Sequence, residues 1–139
     1  MGVKLGDLIP RKEISFDELS NKRIAIDAPN MLYQFLSSIR QLDGTPLMDS
    51  NKNITSHLLG IFSRLTNLMS RNVKICVCFD GKPPLLKIKE VESREYRKEM
   101  AEEKLRKAQE EEDTESMYKY SKQTVRLTKD ILNESKELI

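Results

Sequence analysis

RIAIDAPNMLYQF, residues 23–35, and VKICVCFDG, residues 73–81, are the two stretches that decide the fold. In the first, Ile24 and Ile26 alternate with Ala25 and Asp27 at the two-residue period of a strand, and Pro29-Asn30 stops it near Asp27. Proline suits a first helical turn, so a helix follows directly, with Leu32, Phe35, Leu36 and Ile39 on one stripe. In the second stretch, β-branched and aromatic residues carry a single lysine before Asp80, which predicts a strand buried on both faces and ending at Asp80-Gly81. Between the two, Thr55 or Ser56 can cap a helix whose apolar stripe is Leu58, Ile61, Phe62, Leu65, Leu68 and Met69. Asp43-Gly44-Thr45-Pro46 and Asp49-Ser50-Asn51 are turn formers and predict an exposed loop ahead of it. Strand, helix, helix, strand is a crossover long enough to favour a parallel pair in an α/β sheet.

The remaining sequence is of a different kind. Residues 81–139 contain no glycine after Gly81 and no proline after Pro84, and Glu, Lys, Arg, Ala, Leu, Met and Gln dominate them. Apolar residues are sparse from 85 to 109 (Leu86, Val91, Met100, Leu105), so a helix there has little to bury and is expected to project. Glu110 to Glu115, EEEDTE, suits a solvated turn. A returning helix would then carry Met117, Tyr120, Thr124, Leu127, Ile131 and Leu138 at heptad-like steps, closing a helical hairpin. The expected organisation is an α/β unit over residues 1–80 and a helical region over residues 81–139. With only two strands in its first half, the chain has the look of part of a larger domain.

Composition narrows the classes. At 139 residues, with hydrophobic residues at 38% and charged residues at 33%, the chain is a polar, single-domain-sized protein. It has no run near the roughly 20 apolar residues that span a bilayer and no apolar signal core, so no membrane association is expected and an intracellular setting is. Met1-Gly2 starts like a myristoylation signal, but Gly6 stands where Ser or Thr is wanted. The formal charge of +2 is too small to name a partner, so charge distribution must carry the electrostatics. Cys76 and Cys78, with His57 as the single histidine, make neither a disulfide framework nor a zinc site; buried thiols in a reducing compartment are expected.

Both predicted strands finish on an aspartate, Asp27 and Asp80, and ligands of parallel sheets collect at that carboxyl edge. Two carboxylates on neighbouring strands repel, and a divalent cation such as Mg²⁺ relieves that repulsion. The plainer reading is that each aspartate caps the turn after it. Lys87, Arg94 and Lys98 follow at steps of seven and four, which aligns them on one helix face with Glu90 nearby and Glu92, Glu95, Glu99 and Glu103 mostly turned elsewhere. A cationic stripe close to a metal carboxylate suits phosphodiester chemistry, in which charge builds on phosphate oxygens. A salt-bridged, solvated helix is the alternative.

In these same residues the sequence resembles the N-terminal part of the structure-specific flap endonucleases of the XPG superfamily, especially the archaeal type. The resemblance is carried by MGVKLGDLIPRKEI, RIAIDAPNMLYQFLSSIRQLDGTPLMDS, ITSHLLGIFSRLTNLM and CVCFDGKPP, and by the pair Lys87 and Arg94, in order along nearly the whole chain. It implies a partial PIN-like or Rossmann-like parallel sheet with flanking helices and a projecting helical arch over residues 81–130, through which a 5′ flap would pass. It also implies a Mg²⁺-dependent hydrolase of branched DNA in replication and repair, with 5′-to-3′ exonuclease activity beside flap cleavage. Asp27 and Asp80 match two carboxylates of the family's two-metal cluster, for which Mn²⁺ is a possible substitute. Lys87 and Arg94 match the basic pair at the scissile phosphate, and Tyr33 an aromatic that stacks on a base. Arg40 and Arg64 match basic positions around the cut, and Lys122, Arg126 and Lys129 a basic face of the arch.

The family's further Asp and Glu ligands, its helix-hairpin-helix and its sliding-clamp peptide lie downstream of Ile139. The expectation is therefore an N-terminal piece, inactive by itself, of a cytoplasmic, nucleoid-associated enzyme. Two other readings compete with it: a noncatalytic adaptor whose hairpin binds protein or nucleic acid, and a PIN-like RNA nuclease, against which the Lys87 and Arg94 pair argues.

Overall fold

The computed structural model describes residues 8–81 and 84–139. The opening MGVKLGD, with its myristoylation-like start, and Lys82-Pro83 lie outside the described residues. A 3₁₀ turn, Phe16–Leu19, precedes strand β1, Arg23–Asp27. Helix α1, Ala28–Ser38, follows without a break, and then come α2, Ser56–Met69, and β2, Lys74–Cys78. A short 3₁₀ turn, Leu85–Lys87, leads into α3, Ile88–Glu110, and then α4, Thr114–Ser121, and α5, Lys129–Leu138. Among these helices none is long and apolar enough to cross a membrane.

The strands pair in parallel, with Ile24 opposite Ile75, Ile26 opposite Val77 and Asp27 opposite Cys78. Side chains alternate across a strand, so one face of this sheet carries Ile26, Ile75, Val77 and Phe79. These pack on Met31, Leu32 and Phe35 of α1 and Ile61 and Leu65 of α2. Leu32 is fully enclosed, and burying such a side chain stabilises the fold by about 2 kcal/mol. Gly60 lets α1 and α2 approach: a Cβ there would stand 2.3 Å from the Phe35 ring.

The opposite sheet face is bare, and this corrects the expectation of a strand buried on both sides. Both strands alternate exposed and half-buried positions, and Cys76 and Cys78 are exposed, free thiols rather than buried ones. The reason is architectural: the described helices cover one side of two strands, so the residues that would face a second layer meet solvent.

A second correction concerns the returning helix. It is broken into α4, an irregular linker over residues 122–128, and α5. Thr128 restarts the helix by accepting a hydrogen bond from the Ile131 amide, 3.2 Å. The break lets Val125 and Ile131 join Leu36 in a second apolar cluster while α5 lies against α2. There His57, fully buried on α2, meets Glu134 Oε2 at 2.9 Å. The α3–α4 hairpin buries little beyond Ala101, Ala108 and Ser121, as its sparse apolar residues predict. Its turn is closed by Asp113, which caps α4 by accepting from the Ser116 amide at 3.1 Å. Gly44, at φ +83°, brings the loop after α1 against this hairpin, since a Cβ there would lie 3.0 Å from the Tyr118 backbone.

Candidate functional site

Asp27 and Asp80 stand at the carboxyl ends of the two strands. The register sets Asp27 beside Cys78, and Asp80 lies two residues past the end of β2, exposed like both of them. The alternative reading of Asp27 is realised as well, because its Oδ1 accepts from the Asn30 amide at 2.9 Å and caps α1. A capping carboxylate still offers its other oxygen, so the two functions are compatible. Carboxylate oxygens are the donors a hard divalent cation takes, so the pair fits as part of a coordination set. Among the described residues no group of three or more His, Cys, Asp or Glu completes it.

Elsewhere, α1, α3 and the linker after α4 enclose an open groove of about 400 Å³ lined by Tyr33, Arg94, Arg97, Lys98, Lys122 and Gln123. Tyr33 sits on the solvent side of α1, 37% exposed, with Lys98 Nζ 5.5 Å from its ring centre and 3.4 Å from its hydroxyl. The ammonium thus sits at the hydroxyl end of the ring and donates to its oxygen. Lys122 covers the Tyr118 ring at 3.8 Å. Arg94 donates to Glu90 Oε1 at 3.1 Å, and Arg97 reaches the same oxygen at 3.9 Å. The hydrogen bond from Arg94 is the foremost cause that holds Glu90 below the usual carboxylate range.

The expectation that Glu95 turns away from the basic stripe is corrected. Glu95 Oε1 takes Lys98 at 3.2 Å, and Oε2 takes the Arg126 guanidinium. Arg126 Nε also donates to Glu102 Oε1 at 3.1 Å. The helix therefore matches both sequence readings, a cationic groove flanked by surface ion pairs.

Lys87 is exposed at the start of α3, and Lys129 at the start of α5. Arg64, on the outer side of α2, shares a small cleft of about 210 Å³ with Asp27, Asn30 and Gln34. Arg40 is placed differently. Its Nε donates to the Leu36 carbonyl at 2.8 Å and its Nη1 to Gly44 at 2.6 Å, so the guanidinium secures the end of α1 to the following loop. Burial lowers its affinity for a proton. Arg97 and Glu102 are not singled out by the sequence reading, although Arg97 falls three residues after Arg94, the helical spacing that puts both in one groove.

The XPG N-terminal domain family matches residues 1–101. Flap endonuclease 1 of Thermococcus onnurineus is 51% identical over 139 residues, covering 100% of this chain and 41% of the relative. Flap endonuclease 1 of Pyrococcus furiosus is 50% identical, with the same coverage. Among solved structures, flap endonuclease-1 from Methanococcus jannaschii superposes with a TM-score of 0.62 at 42% identity, over 98% of this chain and 43% of that one. The catalytic core of Rad2 in complex with a DNA substrate gives 0.55 at 25% identity, over 88% and 30%. The chain thus spans about 41% of the curated relatives' length. On the family match over most of its residues, the chain belongs to the XPG N-terminal domain family.

Proposed function

We propose that this chain forms the N-terminal part of a structure-specific flap endonuclease, supplying two metal carboxylates and the cationic arch for phosphodiester hydrolysis of branched DNA with a 5′ flap. The observation that supports this reading is the placement of Asp27 and Asp80 at the carboxyl ends of two paired parallel strands, in a chain that also carries a cationic groove of Tyr33, Arg94, Arg97, Lys98 and Lys122. An adaptor has no use for acids at two neighbouring strand ends. Mg²⁺ bound with help from these carboxylates would supply Lewis acidity toward phosphate oxygens and lower the pKa of a water.

The chain's own residues do the rest. Lys87 and Arg94 set fixed positive charge where negative charge develops on the phosphate, which lowers the barrier more than it strengthens binding. Tyr33 offers a ring face on the solvent side of α1 for a base, with Lys98 at its hydroxyl, and Lys122 and Arg97 line the path of the backbone. Arg64 and Lys129 add positive charge farther out. Arg40 contributes by holding the loop rather than by reaching outward.

The test is a chimera in which this chain replaces the aligned segment of the Thermococcus onnurineus relative. It should cleave a 5′-flap substrate in Mg²⁺, and Asp80→Asn within it should abolish cleavage while flap binding stays largely intact. Lys87→Ala and Arg94→Ala should each slow single-turnover cleavage by roughly 100-fold, the scale of a lost oxyanion donor, with smaller changes in binding. Undiminished cleavage by the Asp80→Asn chimera would remove that carboxylate from the chemistry. The 139-residue chain alone should hydrolyse flaps negligibly.

A further inference from the structure

Arg126, a proposed DNA-contacting cation, is held by two carboxylates together, Glu102 at 3.1 Å and Glu95 beside it. The two acids are seven residues apart on α3 and so share a face, presenting oxygens to one guanidinium in the forked manner that a phosphate also satisfies. All three side chains are near half exposed, at 42%, 42% and 47%. Exposed pairs of this kind are weak and exchange readily with another anion. The neighbours of Arg126 in the linker, Val125 and Leu127, are packed into the apolar clusters. The backbone is thereby anchored, and the long arginine side chain is what can swing.

Resting on the nuclease reading above, we propose that Glu95 and Glu102 act as positioning residues that occupy Arg126 in place of a DNA phosphate and surrender it when a single strand runs along this face of α3. Free chain keeps Arg126 clasped to α3; bound strand takes it over.

The experiment measures binding of a fluorescein-labelled oligothymidylate to the 139-residue chain by anisotropy across a salt series. The chains compared are the wild type, E95Q/E102Q, R126A and the triple variant. The double variant should bind several-fold more tightly at low salt. Its plot of log affinity against log salt should steepen by about 0.7, the contribution of one added single-strand phosphate contact. In the R126A background the same two substitutions should gain much less. An equal gain with and without Arg126 would show that the acids act by general repulsion and would overturn the proposal. So would identical binding by all four chains. Failure of the wild type to bind the oligonucleotide at any salt would instead sink the nucleic-acid reading of the groove, and this proposal with it. The clasp is read independently by the Arg126 Nε–H resonance without DNA, which should be protected in the wild type and lost in E95Q/E102Q; an unchanged resonance counts against it.

Discussion

The body and the hairpin are built by opposite means. In the body, Met31, Leu32, Phe35, Ile61 and Leu65 close on the inner sheet face, and shape decides what fits. The α3–α4 hairpin encloses two alanines and a serine and is otherwise dressed in ion pairs: Glu90 with Arg94, Glu95 with Lys98 and Arg126, Glu102 with Arg126, Glu103 with Lys107. Surface pairs contribute little each, so the hairpin holds a preferred arrangement at small energetic depth. A proposed binding element gains from this, because what is weakly held can be rearranged by a strongly charged ligand.

That contrast breaks if substitutions in the two regions cost alike. Leu32→Ala should destabilise the whole chain by about 3 kcal/mol, read as a lowered urea midpoint, since it opens a cavity under the sheet. Gly60→Ala should cost about 2 kcal/mol by forcing its methyl into the Phe35 ring; a neutral result would mean that α1 and α2 can separate freely. In the hairpin, Asp113→Ala should cost about 1 kcal/mol by removing the α4 cap, with faster amide hydrogen exchange confined to α4 and its turn.

Acid sharpens the comparison. Burial lowers the proton affinity of His57 despite its bond to Glu134, so the unfolded chain binds that proton first. The body's stability should be complete above about pH 6.5 and fall as the pH drops below it. Asp113 is shifted in the same downward direction by its bonds from Ser116, yet as a carboxylate its contribution stays complete until about pH 4 and is lost below. Thermal melts between pH 7.5 and 5 should therefore show a loss that His57→Gln removes, whatever that variant's own stability.

Much of this was legible in the sequence because it is local or periodic. The alternation around Ile24 and Ile26, Pro29 in a first helical turn and the stripe from Leu32 to Ile39 each name their element, and the parallel pairing follows from crossover length. The two strand-end acids and the groove cation Arg94 could be placed for the same reason, whereas Tyr33 and Lys122 entered through the family resemblance. What escaped was set by distant partners. The heptad-like steps from Met117 to Leu138 conceal a break, because Val125 and Ile131 gain more by packing on Leu36 than by staying on one helix. The exposure of Cys76 and Cys78 depends on which layers are present, and a hydrophobic run cannot report that. Arg40, matched by resemblance to a basic position around the cut, meets the Gly44 carbonyl only after the loop has turned back on α1. Glu95 and Glu102 pair across 31 and 24 residues with Arg126, beyond any helical spacing rule.

The bare sheet face has a practical chemical consequence. Cys76 and Cys78 are pleat-mates, about 6.6 Å apart along the strand, at the upper limit of what a disulfide spans without distorting the backbone. Air oxidation is therefore steered outward, toward bridges joining separate molecules, and a purified sample kept without reductant should drift toward covalent dimers. The hydrogen bond with Cys76, together with the charge of Asp27, holds the Cys78 thiol above its ordinary range and slows its share of that drift.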